Sequence, residues 1–461
     1  MTDSAPAKTA LVATVRAQLE RVFPRGAIVL SVLSLAYFAM GIVRNRIFAN
    51  TYGAGAELDA YNAAFRIPEI ALDVLVAAGL TAPFVPIYTS LRQADGDEPA
   101  NAFGRTILTA ATVVMAAAGV AIFLVAPWLG GIVGAGFDPA TRDLYVELLR
   151  INCLALVLFG ASTALGEILV AHRRFVFYAF APVLYTGGII VGTVLFAGRF
   201  GVAASALGRG RRRRGASRDQ GDRGRAGHRF ASVRAFGIRT VAFGEFIRLM
   251  LPRMASVAIE PLTFAYFTVV AAGLGVGSVS SLNFALDYQA QPVILIGVSF
   301  SLAVFPVLSA ASAEGDGRTF RAVLRRNLVT ITVLTTAAAV ALFVLSRILV
   351  QVMLGGGKFG PDDVDRTSAI IAVFALSIPF DALAYPLSRG LYATHNTLLQ
   401  VIASFAGLGV VVAVSQLLVP SFALLAIPLG YAAGMVVKDA LLLLFLVPRV
   451  RRIGLSGPTP P

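Results

Sequence analysis

Uncharged stretches long enough to cross a lipid bilayer recur along this chain, and they remove most folds from consideration. Residues 110–129 and 401–437 contain no Asp, Glu, Lys or Arg. A helix needs about 20 apolar residues to cross the hydrocarbon core. In lipid only helices or closed barrels satisfy their backbone hydrogen bonds, and runs this long and evenly apolar mean helices. Composition agrees, with 57% hydrophobic and 14% charged residues in 461. The expectation is an all-α polytopic membrane protein.

The chain also repeats itself. The segment FVPIYTSL, starting at Phe84, and ADGD, starting at Ala94, return as VFPVLSAA from Val304 and AEGD from Ala313. LVAH from Leu169 returns as LYATH from Leu391. Three echoes in order, at offsets of about 220, predict two parallel-repeat bundles; transporters built this way carry the substrate site between their halves. Predicted spans are 28–48, 59–91, 105–130, 143–171 and 176–198, then 245–273, 279–310, 327–353, 367–393, 398–419 and 421–447. The expected organisation is an amino-terminal cytoplasmic segment at 1–27, a first bundle at 28–244, a second at 245–448 and a cytoplasmic tail at 449–461. Residues 1–25 are polar and basic with no cleavage pattern, so the first span is expected to act as its own insertion signal.

Five spans against six leaves one slot empty. Shifted by the repeat, the last span falls on 199–225, where Phe422, Leu429 and Gly430 pair with Phe200, Leu207 and Gly208. After Gly208 comes an aberrant arginine-rich tract at 208–240, which carries nine arginines and two aspartates between 208 and 230. Three readings are open: a cytoplasmic polybasic loop attracting anionic lipid, a nucleic-acid site, or a GC-rich gene read out of frame. No aromatic interleaving or known module accompanies the tract, so nucleic acid is not expected as a partner. Nine arginines do not span a bilayer, at about 2.5–3.5 kcal/mol each near the centre. Charge topology favours six spans in each bundle. With Lys8, Arg16, Arg21 and Arg25 inside, six spans also place Arg173, Arg174, Arg318, Arg321, Arg325, Arg326, Arg449, Arg451 and Arg452 inside; five do not.

The second span carries the most informative charges. Asp59, Asn62, Arg66, Glu69 and Asp73 fall within an arc of about 80° on an ideal helix, in a stripe roughly 21 Å long. Intramembrane ionisable groups face a bundle interior or a watery cavity. Pro68 is placed to bend this helix. The repeat counterpart, SVSSLNFALDYQAQPV, puts Ser280, Asn283, Asp287 and Gln291 on one face. Two such stripes would line a central hydrophilic cavity. Arg44 and Arg46 add positive charge near its mouth, or snorkel to the interface. Glu260, Asp381, Lys438 and Asp439 are further buried-charge candidates, as structural pairs or as sites.

Catalytic chemistry finds little support. The single cysteine, Cys153, lies in an apolar run and forms no intrachain disulfide. His172, His228 and His395 are scattered, so no metal site is expected, and no phosphate-cradling loop or nucleophile elbow appears. The chain is not expected to be an enzyme or to hold a cofactor.

The segments GIVRNRIFANTYGAGAELDAYNAAFRIPE, FVPIY, RFVFYAFAPVLY, LMLPRMAS, GVSFSLAVFPVLS, GGGKFG and RGLYATHNT together resemble the MviN/MurJ-type lipid II flippases, of the multidrug and polysaccharide-precursor exporter superfamily. The resemblance covers the chain apart from 209–240. It implies two six-helix bundles around a cationic cavity and alternating access. It also implies movement of the undecaprenyl-diphosphate-linked peptidoglycan precursor across the bacterial cytoplasmic membrane without nucleotide hydrolysis. The substrate would be a lipid-linked glycan; membrane lipids and cell-wall synthesis proteins are the implied partners. Arg44, Asp59 and Arg66 match charged positions of the family. Tyr37, Leu72 and Asp287 stand where further cavity arginines are usual, and Ala77 replaces an acidic residue. The alternatives are a flippase for another lipid-linked glycan, a drug exporter whose carboxylates bind protons or sodium, and a scaffold acting through the basic tract. Coupling to a proton, to sodium or to the membrane potential is open.

Overall fold

In a computed structural model, described over residues 25–74, 78–172, 175–203, 240–394 and 396–453, the apolar runs are helices and no strand is present among the described residues. Residues 204–239, which hold all but the last residue of the arginine-rich tract and most of the sixth-span slot, lie outside the described residues, as do Arg173, Arg174, Ala77, His395 and most of the two terminal segments. The helices of the first half are α1 (Arg25–Tyr52), α2 (Ala56–Leu72), α3 (Ala78–Ala94), α4 (Asp97–Val133), α5 (Pro139–Ala171) and α6 (Phe175–Phe200). Those of the second are α7 (Val241–Val257), α8 (Ile259–Ala272), α9 (Ser278–Pro292), α10 (Ser299–Ala313), α11 (Gly317–Met353), α12 (Pro361–Ala375), α13 (Ile378–Ala393), α14 (Leu398–Phe422) and α15 (Ala426–Arg452).

The sequence repeat is a structural repeat. Helices α4 and α11 are each 37 residues long and start 220 residues apart. Helix α5 and the α12–α13 pair begin at Pro139 and Pro361 and end at Ala171 and Ala393, an offset of 222 at both ends. The second span of each half breaks at the same place. Residues 73–74 have π geometry, and so does Val293–Val298, between α9 and α10. Prolines withdraw ladder hydrogen bonds around both breaks, with Pro68, Pro83 and Pro86 in one and Pro292 and Pro306 in the other. Pro68 itself lies inside α2 rather than ending it.

Helix exteriors are as apolar as their interiors. Leu124 and Trp128 on α4 are 70% and 67% exposed, and their repeat partners on α11, Val344 and Ile348, are 67% and 63% exposed. A water-facing helix would carry charge at these positions; a lipid-facing one keeps them oily. Among the described residues, six helical stretches are long and apolar enough to span a membrane, seven if α12 and α13, bent by 43°, form one span.

The chain forms two compact units that do not follow the linear halves. Residues 1–47, 71–123 and 150–254 make up the first, and 48–70, 124–149 and 255–461 the second. In the first, Phe84, Phe103, Met115 and Leu156 anchor the core, with Phe84 and Phe103 stacked at 5.6 Å. In the second, Leu308, Phe320, Leu391 and Leu442 form one cluster, and Ile331, Ala375 and Ile378 another. The outer stretches of α1, α2, α4 and α5 therefore belong to the same packing unit as the second bundle.

Candidate functional site

Within the second unit, the two polar stripes predicted from sequence meet. Arg66, near the middle of α2, donates through Nη1 to Glu69 Oε2 at 3.0 Å and through Nη2 to Asn283 Oδ1 at 2.7 Å. Asn283 is fixed in turn, its Nδ2 donating to the Val279 carbonyl at 2.8 Å. The guanidinium lies 5.7 Å from the centre of the Phe264 ring, a cation–π contact that strengthens where water is scarce. The Arg66 side chain is 13% exposed against 49% for Glu69. Three of the predicted site residues are thus assembled around one cation that joins α2 to α9.

Asp59 has a different job from the cavity-lining role its stripe position suggested. It is 1% exposed and accepts from the backbone N–H groups of Gly277 (2.6 Å) and Ser280 (2.7 Å), and from the Ser280 hydroxyl. The first N–H groups of a helix have no intrahelical partner and carry partial positive charge. A carboxylate on a neighbouring element therefore caps α9 across 218 residues of sequence. Gly277 is required in this turn: its φ is +83°, and a Cβ there would collide with the Ala54 carbonyl and the Arg366 guanidinium. Arg366 Nη1 also donates to the Val276 carbonyl at 2.8 Å.

A second tie lies beside the first. The turn of GGGKFG brings the Lys358 N–H to the Asn50 carbonyl at 3.0 Å. A Cβ on Gly357 would collide with that same residue, so glycine permits the approach. Phe359, 2% exposed, packs edge-on to Phe284 at 5.8 Å. Asn50, Lys358, Arg366 and Phe264 were not singled out as site residues from the sequence. The glycine run in GGGKFG and the GVGS turn ahead of α9 were the available signals.

The remaining predicted residues are more dispersed. Asn62 is half-buried one turn before Arg66, Asp287 is exposed, and Gln291 Nε2 donates to the Asp287 backbone carbonyl at 3.1 Å. In the first unit, Arg44 is half-buried and donates from Nε and Nη2 to Asn45 Oδ1 at 3.0 and 2.8 Å. Arg46 is exposed, and Asp73 is half-buried at the π break.

The sequence profile of the lipid II flippase MurJ family matches residues 48–211 and 226–457. The chain belongs to that family. The 14 unmatched residues between the two stretches, 212–225, fall inside the arginine-rich tract. A relative from Burkholderia cenocepacia, named lipid II flippase MurJ, is 25% identical over 95% of this chain and 85% of its own length. One from Thermotoga maritima, named probable lipid II flippase MurJ, is 25% identical over 77% of this chain and 71% of its own. Among solved structures, lipid II flippase MurJ in an inward closed conformation superposes with a TM-score of 0.78 at 21% identity, covering 93% of this chain and 90% of that one. An inward-facing multidrug transporter of the MATE family has the same fold, with a TM-score of 0.76 at 15% identity, covering 94% of this chain and 99% of that one. The chain is a multi-pass protein of the bacterial cytoplasmic membrane.

Proposed function

We propose that this protein translocates lipid II, the undecaprenyl-diphosphate-linked peptidoglycan precursor, across the cytoplasmic membrane by alternating access. The observation that carries the reading is the anchored Arg66, a cation held inside an apolar bundle where the polar helices of both repeats meet. A diphosphate is best held by arginine, whose planar donors match phosphate oxygens in pairs. Arg66 is kept in place by Glu69, Asn283 and Phe264, with Asn62 one turn away on the same helix; Arg44, on α1, is a second candidate cation. Family membership supports the same cargo.

The ties at Asp59 and Asn50 give the cycle a gate. By the inside placement of the basic segments, the α1–α2, α8–α9 and α11–α12 connections all lie on the outer face. Those connections hold the caps just described, so the second unit is tied together at its outer face. Release outward then requires the Asp59–α9 cap and the Asn50–Lys358 bond to part. Proteins that make lipid II inside and consume it outside are the partners this reading implies.

The test is rescue of a flippase-depleted bacterium, paired with lipid II translocation in proteoliposomes. Arg66→Ala and Arg44→Ala are each expected to abolish rescue and lower translocation by tenfold or more, about 1.4 kcal/mol or greater. Undiminished rescue by both variants sinks the assignment. Loss of drug resistance with intact cell-wall synthesis in a deletion strain would instead favour the exporter reading.

A further inference from the structure

Arg66 and Glu69, three residues apart on α2, form an ion pair whose two ends are held very differently. The guanidinium is fixed from a second helix. Asn283 accepts from Nη2 at 2.7 Å and is itself tied to the Val279 carbonyl, while the Phe264 ring lies 5.7 Å away. The carboxylate is loose. A single hydrogen bond of 3.0 Å holds it, and its side chain is 49% exposed against 13% for Arg66. Its neighbour Pro68 withdraws a backbone donor from the helix at the same point.

A cation inside an apolar bundle is tolerated only with an anion beside it. Glu69 supplies that anion from the same helix, and from the accessible side. It does so incompletely. Arg66 Nε is buried and has no acceptor among the described residues, so the guanidinium offers more donors than Glu69 and Asn283 take up. A phosphate group presents several strong acceptor oxygens, and arginine engages them in pairs. An incoming phosphate can therefore take the place of Glu69 and use donors that a lone carboxylate leaves idle. Asn283 and Phe264 would hold the cation still through the exchange.

We propose that Glu69 is a displaceable stand-in for the cargo's phosphate, and that it sets the selectivity of the Arg66 site by making every anionic headgroup compete for the guanidinium. Each such headgroup must break the same pair, so all affinities fall by one common factor. Occupancy, however, depends on abundance as well as affinity. Singly charged phosphodiester lipids crowd a membrane protein but attract one arginine less strongly than a diphosphate does. A common threshold clears the abundant weak binders from the site and leaves the scarce strong one bound. Glu69 also aids release, because it stands one helical turn away and re-forms the pair as the diphosphate departs. The proposal rests on the reading of Arg66 as the cation that holds cargo.

The experiment uses the full chain in nanodiscs and the substitution Glu69→Gln, which keeps the side chain's shape and removes its charge. Binding of undecaprenyl diphosphate and of phosphatidylglycerol is measured for each variant by native mass spectrometry. Glu69→Gln is expected to bind both about fivefold more tightly, and loss of fold cannot produce such a gain. The same substitution in an Arg66→Gln background should change neither affinity. In proteoliposomes, Glu69→Gln should show a lower KM and a slower turnover, and added phosphatidylglycerol should inhibit it more than the parent. Weaker or unchanged diphosphate binding in Glu69→Gln, or a gain that survives in the Arg66→Gln background, overturns the stand-in. If Arg66→Gln abolishes binding while Glu69→Gln matches the parent, only the stand-in falls. If binding is indifferent to Arg66, the cargo-site reading falls as well.

Discussion

Two acidic centres in the same unit have opposite degrees of satisfaction. Around Asp59, fixed backbone donors and one hydroxyl converge on a single carboxylate. Around Lys438, three carboxylates, Glu260, Asp381 and Asp439, share one cation, and Asp439 has no hydrogen-bond partner among the described residues. The first arrangement is built to be either fully made or fully broken, since pulling Asp59 away strands two buried N–H groups at once. The second leaves both oxygens of a buried carboxylate without a donor. A gate needs the former property.

The largest effect is expected from breaking the satisfied centre. Asp59→Ala leaves the Gly277 and Ser280 N–H groups buried without an acceptor, each costing about 1–3 kcal/mol. Thermal unfolding in nanodiscs should show a marked drop for Asp59→Ala and a smaller one for Asp59→Asn, whose amide oxygen still accepts. Gly277→Val should be at least as damaging, because the side chain meets the Ala54 backbone at a positive φ. If Asp59→Ala leaves the unfolding temperature unchanged, the cap has no role in holding the outer face.

A second test concerns which side of the membrane that centre occupies. Residues 59 and 277 touch, so their loops lie on one face and an even number of crossings separates them. The described helices between them supply five by the span assignment above: α2–α3, α4, α5, α6 and α7–α8. The slot expected for a sixth span, 199–225, holds most of the arginine-rich tract; residues 204–239 lie outside the described residues. By parity alone, cysteines introduced at Ala203 and Thr240 should react with an impermeant thiol reagent from opposite faces, 203 from outside and 240 from inside, which sets the crossing count directly against the cost of nine arginines in a bilayer. Cys153 is buried and adds no background. Labelling of both from one side would contradict the even crossing number.

Much of this architecture was legible in the sequence because lipid imposes a length and a periodicity that few other environments demand. The 220-residue offset read from FVPIYTSL and VFPVLSAA reappears in helix ends, proline positions and π breaks. The stripe on α2 was legible as polar, since Arg66, Glu69 and Asn283 do meet. What pattern alone did not reveal was how the stripe divides its labour. Asp59 and Arg66 lie on the same helical face, yet one caps a helix end and the other is held as a cation beside Phe264. That difference depends on which loop approaches from elsewhere in the chain, as the GVGS turn does at Asp59, and helical periodicity carries no information about distant loops. Glu260, Asp381, Lys438 and Asp439 were legible one by one as buried-charge candidates but not as a group, because they come from three helices and form no motif on any one of them.

The smallest predicted effect separates a cap from a gate. Asp316 caps α11 at the inner face, accepting from the Arg318 and Thr319 N–H groups at 3.0 Å each, much as Asp59 caps α9. Asp316, however, belongs to its own helix and is exposed. The Thr319 hydrogen bonds hold its carboxyl below the ordinary value, because they favour the ionised form. A depressed carboxyl stabilises the fold above its unfolded value and loses that contribution as pH falls through the folded one. Asp316→Ala should therefore lower the unfolding temperature slightly at neutral pH, with the difference from the parent vanishing in acid. Transport should be unaffected, since this cap is made within one helix and does not join elements distant in sequence. A transport defect in Asp316→Ala as large as that of Asp59→Ala would mean that capping as such, rather than capping across the repeat, governs the cycle.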